Sequence, residues 1–276
     1  MKNRQGRIFL LVSAVLAVLS VIGIVLFNDP AGKSETVGEM MRDAVLHERG
    51  KISLFGITDV NPGLISAVVV SAFLLAAAAL IRIFVIPRFK YKPGKFQMLL
   101  ESLVSFFEDI AKTNSPHKNG FLTIYIFCAG LYIFVGTIFE LFGVQGITVN
   151  GDSITLPAPL SDINGAIALG FLSYGVIVSG AVSANGFKGI GKALKDFSLP
   201  ISMSFRLFGA LISGLLVTEL VYYYLHLSFV LPVVVAVLFT LLHALIQTYV
   251  LAMLTTLFYG EVAEPSMKKI KKKKSR

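Results

Sequence analysis

Residues 198–217 read SLPISMSFRLFGALISGLLV and place a single arginine, Arg206, inside an apolar run long enough to cross a membrane. An arginine at bilayer depth costs roughly 2.5–3.5 kcal/mol on insertion scales. Because an arginine guanidinium keeps its proton, we expect Arg206 to carry a permanent positive charge in a medium of low dielectric constant. Its neighbours at helical spacing are small residues: Ser202, Gly209, Ala210 and Ser213. This face would let a second helix approach the charge, which favours a functional role over snorkelling or a structural ion pair.

The composition is that of a membrane protein. The chain has 276 residues, of which 55% are hydrophobic and only 15% charged, with a mean hydropathy of +0.77. Long apolar runs exclude a soluble domain of this size. Ten of the 25 basic residues lie within residues 2–7 and 268–276, so the net charge of +9 does not indicate a nucleic-acid partner. The single cysteine, Cys128, excludes an internal disulfide and a multi-cysteine metal site.

The apolar runs predict an all-α integral membrane fold with about six membrane-spanning helices. They cover residues 8–27, 64–86, 121–142, 163–184, 199–226 and 229–259. The first run could be a signal peptide. A retained helix is favoured because the run has 20 residues and no small-residue cleavage site follows it.

Shorter patterns predict smaller elements between these helices. Apolar residues repeat every three or four positions over 95–112, which predicts an amphipathic helix lying along the membrane surface. The same spacing predicts a short helix around 37–45, and residues 147–149 and 154–156 could pair as a hairpin.

The distribution of Lys and Arg predicts the orientation of the chain. Both termini, residues 87–95 and residues 188–195 are basic and should face the cytoplasm, while the loops 28–63 and 143–161 should face outside. We therefore expect four parts: an extra N-terminal helix or signal peptide at 1–27, an external loop at 28–63, the main membrane domain at 64–260 and a basic cytoplasmic tail at 261–276.

The last two runs are longer than a bilayer requires. Their 28 and 31 residues would span about 42 and 46 Å as helices, against roughly 30 Å of hydrocarbon. The sequence therefore predicts a strongly tilted C-terminal helix hairpin, with a turn near residues 227–228.

Polar residues within the apolar runs indicate an ion path. His243 and Gln247 are four residues apart and share one helical face, and Glu219 follows Arg206 by 13 residues, too far for an ion pair. A proton or small cation needs such groups at successive depths. Asp162, Asn164 and Glu140 lie at the predicted outer helix ends and could form the mouth of the path.

Structural roles are open for the same residues. His243 and Gln247 could be hydrogen-bonded inside the bundle, Glu140 could be solvated, and Asp162 could cap the fourth helix. No motif for covalent catalysis, for a metal or for a cofactor occurs, which predicts a chain without an active site of its own.

Two motifs resemble subunit a of the F-type ATP synthase membrane sector. Residues 204–209, SFRLFG, resemble the family's S-x-R-L-F-G core, preceded by a matching Pro-Ile-Ser at 200–202. Residues 247–255, QTYVLAMLT, resemble its last-helix motif. Weaker similarities at 92–97, 159–164 and 186–191 extend the resemblance over about residues 55–260.

The resemblance implies a stator subunit in the inner membrane of a bacterial cell, packed against a rotating ring of c subunits and assembled with peripheral-stalk b subunits and the other ATP synthase subunits. Arg206 then matches the essential arginine, which separates two offset half-channels, and Gln247 matches its partner glutamine. The family implies a non-catalytic subunit that needs no cofactor.

Three positions depart from the family pattern. Ala210 replaces a frequent Asn, Leu215 a frequent Glu, and Thr240 a titratable residue in the last helix. Glu219 and His243 stand about one turn from the last two positions, so we expect them to supply the polarity of the access channel; proton and sodium coupling both stay open. Two other functions are a secondary transporter that binds an anionic substrate through Arg206, and a membrane scaffold. The absence of an internal repeat disfavours the transporter.

Overall fold

A computed structural model describes residues 51–54, 57–116, 119–147, 149, 153–223 and 231–264, together with seven earlier positions: Val15, Val18, Ile22, Thr36, Gly38, Glu39 and Arg42. Val15, Val18 and Ile22 are helical, but the rest of the span predicted at 8–27 lies outside the described residues. The predicted turn at 227–228 and the tail from residue 265 also lie outside them.

Seven α-helices make up most of the described chain: α1 Pro62–Leu80, α2 Lys95–Asn114, α3 Gly120–Phe139, α4 Ile163–Asn185, α5 Phe187–Ala193, α6 Ser198–Tyr223 and α7 Leu231–Ala263. Within the described residues, five helical segments are long and apolar enough to cross a membrane. Two of them contain α1 and α3, one is α4, and the last two, Ser198–Thr218 and Val237–Ala263, are parts of α6 and α7. These correspond to the last five predicted runs. The predicted helix at 95–112 is present as α2, while its position along the membrane surface stays a prediction.

The last two helices begin and end differently from the prediction. α6 begins one residue earlier than expected, at Ser198, and is described to Tyr223. α7 has 33 residues and continues to Ala263, a length of about 50 Å. Both remain longer than one hydrocarbon thickness, so the tilt of this pair stays a prediction.

The end of α1 changes helix type because of a proline. After Leu80 the chain continues as a π-helix over Ile81–Val85 and a 3-10 helix over Ile86–Arg88. Pro87 has no N–H to donate, and its ring crowds the carbonyl four residues earlier, so the regular α-helix cannot continue through it. The Arg88 Nη1 donates a hydrogen bond to the Phe84 carbonyl at 2.6 Å, which satisfies one of the acceptors left at this end.

Side-chain caps begin two of the membrane helices. The Asn61 side chain accepts from the Gly63 N–H at 2.8 Å at the start of α1, where Pro62 occupies the first turn. Asp162 Oδ1 accepts from the Asn164 N–H at 3.1 Å at the start of α4. The capping role considered for Asp162 is therefore confirmed.

Two antiparallel hairpins lie in the loops predicted to be external. Strands β1, Ile52–Leu54, and β2, Ile57–Val60, form the first, which the sequence did not predict. Strands β3, Gln145–Ile147, and β4, Ser153–Thr155, form the second. The prediction of a hairpin here is confirmed, although β3 begins two residues and β4 one residue earlier than expected.

The two hairpins contact each other, which explains the position of β3. The Val149 N–H donates to the Lys51 carbonyl at 3.0 Å. A Cβ at Gly146 would lie 2.8 Å from Ile52 Cδ1, so the glycine lets the Ile52 side chain lie directly against the backbone of β3. The alternation of apolar residues indicates which residues of a strand share a face. The contact between the two hairpins, about 100 residues apart in the chain, is not visible in that pattern.

Helix α7 lies at the centre of the bundle, in contact with α2, α3, α4 and α6. Small residues permit these close contacts: the Thr248 hydroxyl donates to the Gly130 carbonyl at 3.3 Å, and a Cβ at Gly180 would meet the ring of Tyr259. A cluster of buried side chains joins α3, α4, α6 and α7 and includes Ile133, Leu207 and Leu251. The rotation of α6 about its own axis is therefore fixed by packing on several sides.

Two glycines of α4 should respond differently to substitution by alanine, because only Gly170 lies at the contact with α6. In Gly170→Ala the new Cβ would lie 2.9 Å from the Pro200 carbonyl oxygen and would overlap Ser204 Oγ, so we expect a loss of about 1–3 kcal/mol in stability. Thermal unfolding of the purified complex measures it. In the control, Gly175→Ala, the Cβ meets nothing within 4 Å, so stability should be unchanged or slightly raised. Equal melting temperatures for the two variants would contradict this account of the contact.

Candidate functional site

Arg206 lies on the face of α6 that the described part of the chain leaves uncovered. Met203, Leu207 and Leu211 on the opposite side are buried, with at most 4% of each side chain exposed, in the cluster that α6 forms with α3, α4 and α7. Four other residues on the uncovered face are exposed: Ser202, Phe205, Gly209 and Ser213. A Cβ at Gly209 would meet no atom within 4 Å. The guanidinium is therefore open to a partner from outside the described chain.

The charge of Arg206 is not balanced by the side chains around it. Among the residues that the structure describes, no carboxylate forms an ion pair with Arg206. Arg206 belongs to the candidate membrane span Ser198–Thr218 and lies eight residues after its start, a depth of about 12 Å along the helix. An arginine this deep needs an anionic or polar partner, because its charged form is costly in hydrocarbon.

Gln247 lies on the inner face of α7. Only 5% of its surface is exposed, and its neighbours Thr248 and Leu251 are also buried. Gln247 and Arg206 are both described, and no hydrogen bond joins them. The structure thus places the glutamine inside the bundle and the arginine on an outer face, on two helices that pack against each other.

A small cleft brings together polar residues from three helical segments. It has a volume of about 10 Å³ and is lined by Thr137, Glu140, Ala210, Leu211, Gly214, Thr240 and His243. That is room for about one water molecule. Glu140 and His243 are 103 positions apart in the sequence, yet both reach this cleft. Ala210 is one helical turn from Arg206. The cleft therefore places titratable side chains within about one helical turn of Arg206 along α6.

The His243 ring is held in one orientation. Its Nδ1 lies 2.7 Å from the Phe239 carbonyl oxygen, and the ring stacks on that of Phe239 with centroids 5.9 Å apart. Because a carbonyl can only accept, the proton of the neutral imidazole is on Nδ1. Nε2 is left as the nitrogen that can take up and release a proton.

A comparison with protein families identifies the family of the chain. The sequence model of the ATP synthase A chain matches residues 65–260. The chain belongs to the ATP synthase A chain family. It is therefore a multi-pass membrane protein of the ATP synthase membrane sector, takes part in proton translocation and associates with other ATP synthase subunits.

The family match includes every residue of the candidate site. Arg206, Gln247 and the lining of the cleft all fall within residues 65–260. The first hairpin, β1–β2, precedes the matched region.

The other predicted site residues are not brought to the cleft. Asp162 and Asn164 do not line it; they are hydrogen-bonded to each other at the start of α4, and a Cβ at Gly63 would meet Asp162. Their place at the mouth of an ion path stays a prediction. Glu219 belongs to α6, but its side chain lies outside the described residues.

Three residues of the cleft, Thr137, Leu211 and Gly214, were not singled out from the sequence. Thr137 precedes Glu140 by three residues and therefore shares its helical face, a signal that the spacing contained. Gly214 follows Arg206 by eight residues, about two turns, and a Cβ there would meet no atom within 4 Å. Thr240 precedes His243 by three residues, so the helical period puts both on one face of α7, and both line the cleft.

Proposed function

We propose that this chain is the stator subunit of a rotary F-type ATP synthase, with Arg206 as a fixed charge that faces carboxylates on a rotating ring of c subunits. The observation that carries the proposal is the exposed position of Arg206 on the uncovered face of α6. The small and exposed residues around it, Ser202, Gly209 and Ser213, leave room for a second helix at close range.

The role of the charge follows from electrostatics. A carboxylic acid in an apolar environment holds its proton because desolvation disfavours the anion. An opposite charge a few ångströms away lowers the pKa of such a group by about 1–3 units. A ring carboxyl that arrives opposite Arg206 therefore releases its proton. Because the guanidinium does not titrate, a proton cannot pass directly between the two sides at this position.

The cleft supplies a candidate for one of two offset half-channels. Protons would pass between Glu140 and His243 Nε2, with the hydroxyls of Thr137 and Thr240 as hydrogen-bonding groups along the way. The cleft lies toward the C-terminal ends of α3 and of α6, the side that the distribution of Lys and Arg assigns to the exterior. We therefore propose that it belongs to the outer half-channel, and that Glu219 extends it farther out along α6.

Gln247 is assigned a positioning role in this scheme. Its amide has both donors and an acceptor, and it is buried on α7 beside the residues that pack against α6. A neutral hydrogen-bonding group there can orient polar neighbours of Arg206 without adding a charge. The second half-channel would open to the cytoplasm and would reach α6 on the N-terminal side of Arg206, whereas the cleft lies on its C-terminal side.

Arg206→Ala tests the proposal. We expect the complex to assemble, because Arg206 is exposed rather than part of the core, and proton-driven ATP synthesis to be lost. The ionised fraction of the ring carboxyl should fall by about 10- to 1,000-fold. ATP synthesis in reconstituted vesicles with an imposed proton gradient measures the effect. The matched control is Arg82→Ala, which removes another exposed arginine near the end of a membrane span and should keep coupling. Full coupling in Arg206→Ala would overturn the role.

Glu140→Gln tests the outer half-channel. The substitution keeps the shape of the side chain but removes its proton exchange, so we expect ATP-driven proton pumping to slow by at least about tenfold. A pH-sensitive dye in inverted membrane vesicles measures the rate. Glu261→Gln removes an exposed carboxyl of α7 away from the cleft and should pump at the normal rate. Normal pumping by Glu140→Gln would exclude Glu140 from the path.

A further inference from the structure

A second polar site lies where α1 ends and α2 begins. An open groove of about 590 Å³ is lined there by four basic residues, Arg88, Lys90, Lys92 and Lys95. Its other lining residues include three aromatic ones, Phe84, Phe89 and Phe96. The groove has no part in the proposed proton path, since none of its lining residues reaches the cleft or Arg206.

Hydrogen bonds hold the loop that carries these cations. The Lys90 N–H donates to Gln97 Oε1, and Gln97 Nε2 donates to the Lys90 carbonyl, both at 3.1 Å. The Arg88 side chain is anchored on the Phe84 carbonyl at 2.6 Å. The chain between the end of α1 and the first turn of α2 is therefore tied at both ends. The cations are consequently gathered in one place.

The electrostatics of the groove favour an anion. All four basic side chains are exposed, and no carboxylate is among the residues that line the groove. The nearest acid on α2, Glu101, accepts a hydrogen bond from Gln97 Nε2 at 2.8 Å, one turn farther along. The first turn of α2 also opens on the groove, and no side chain caps it after Gly94. Unpaired N–H groups at such a helix end add to the attraction for an anion.

The apolar walls indicate what carries the anion. The aromatic side of the groove adjoins the membrane span Pro62–Arg88, in which Leu75, Leu80, Ile83 and Phe84 are between 52% and 72% exposed. The span Pro62–Arg88 is the least covered of the five candidate spans, with 11% of its most apolar window buried. A ligand that fits both surfaces has a phosphate at one end and hydrocarbon at the other.

We propose that this groove is a binding site for an anionic phospholipid, with the phosphate among Arg88, Lys90, Lys92 and Lys95 and an acyl chain along α1. A basic pocket at the end of a membrane helix attracts anionic headgroups, and each cation near the surface contributes about equally. An acidic segment of a partner protein would satisfy the charges but would not need the long uncovered hydrocarbon face. The site is independent of the role assigned to Arg206.

Photo-cross-linking of the intact ATP synthase complex in detergent tests the site. The probe is phosphatidylglycerol with a photoreactive acyl chain, and peptide mapping identifies the labelled residues. We expect labelling within residues 75–97, competition by unlabelled phosphatidylglycerol, and little competition by phosphatidylcholine. Competition by inorganic phosphate alone, equal to that by the lipid, would overturn the assignment to a lipid.

Matched triple variants isolate the charge. Lys90→Gln, Lys92→Gln and Lys95→Gln together should weaken competition by phosphatidylglycerol by about tenfold or more. The corresponding Lys→Arg variant keeps the charges and should bind normally. Lys188→Gln, Lys192→Gln and Lys195→Gln remove three exposed lysines elsewhere and should leave the labelling of residues 75–97 unchanged. If the first variant keeps its lipid labelling but loses another subunit of the complex, the groove binds a protein and the proposal is wrong.

Discussion

The close approach of α6 to α4 is the contact on which the site depends. Gly170 has no side chain, so the backbone at Pro200 and the hydroxyl of Ser204 can lie directly against α4. This contact, together with the buried leucines of α6, sets the rotation of α6 about its axis. With that rotation, the inner face carries Met203, Leu207 and Leu211, and Arg206 is left outside. A different rotation would bury a permanent charge among apolar side chains, at a large cost.

The same use of small residues organises α7. Gly130 of α3 and Gly180 of α4 lie against Thr248 and Tyr259, and Gly260 of α7 lies against the backbone at Asn114. In a bilayer, helices gain little from hiding apolar surface from each other, because lipid is equally apolar, so close packing and hydrogen bonds hold them together. The Asn114 side chain adds such a bond, donating to Thr256 Oγ1 at 3.0 Å. The rigid centre of the bundle then supports polar groups at its edges.

The arrangement separates two kinds of surface with different chemistry. The cleft with Glu140 and His243 lies within the bundle, where a few polar groups can hold a proton path in a small volume. The groove between the end of the first membrane span and the start of α2 is open, and it combines basic side chains with exposed apolar ones. The first suits proton exchange between fixed groups, whereas the second suits an amphipathic ligand. Pro87 contributes to the second surface because the helical segment that continues from α1 ends at Arg88, just after this proline.

The sequence by itself determined the membrane class, the positions of the last five predicted spans and the helical face that carries Arg206 with small residues. Length and apolarity decide the first two, because a bilayer requires about 20 apolar residues per helix, and the 3.6-residue period decides the third. Only the tertiary structure brought Glu140 to His243 and Thr240, buried Gln247 without a bond to Arg206, and joined the two hairpins through Lys51 and Val149. Periodicity specifies which residues share one face of a helix. Which faces meet depends on how closely distant backbones can approach, and contacts such as that at Gly170 set this distance only once the chain is folded.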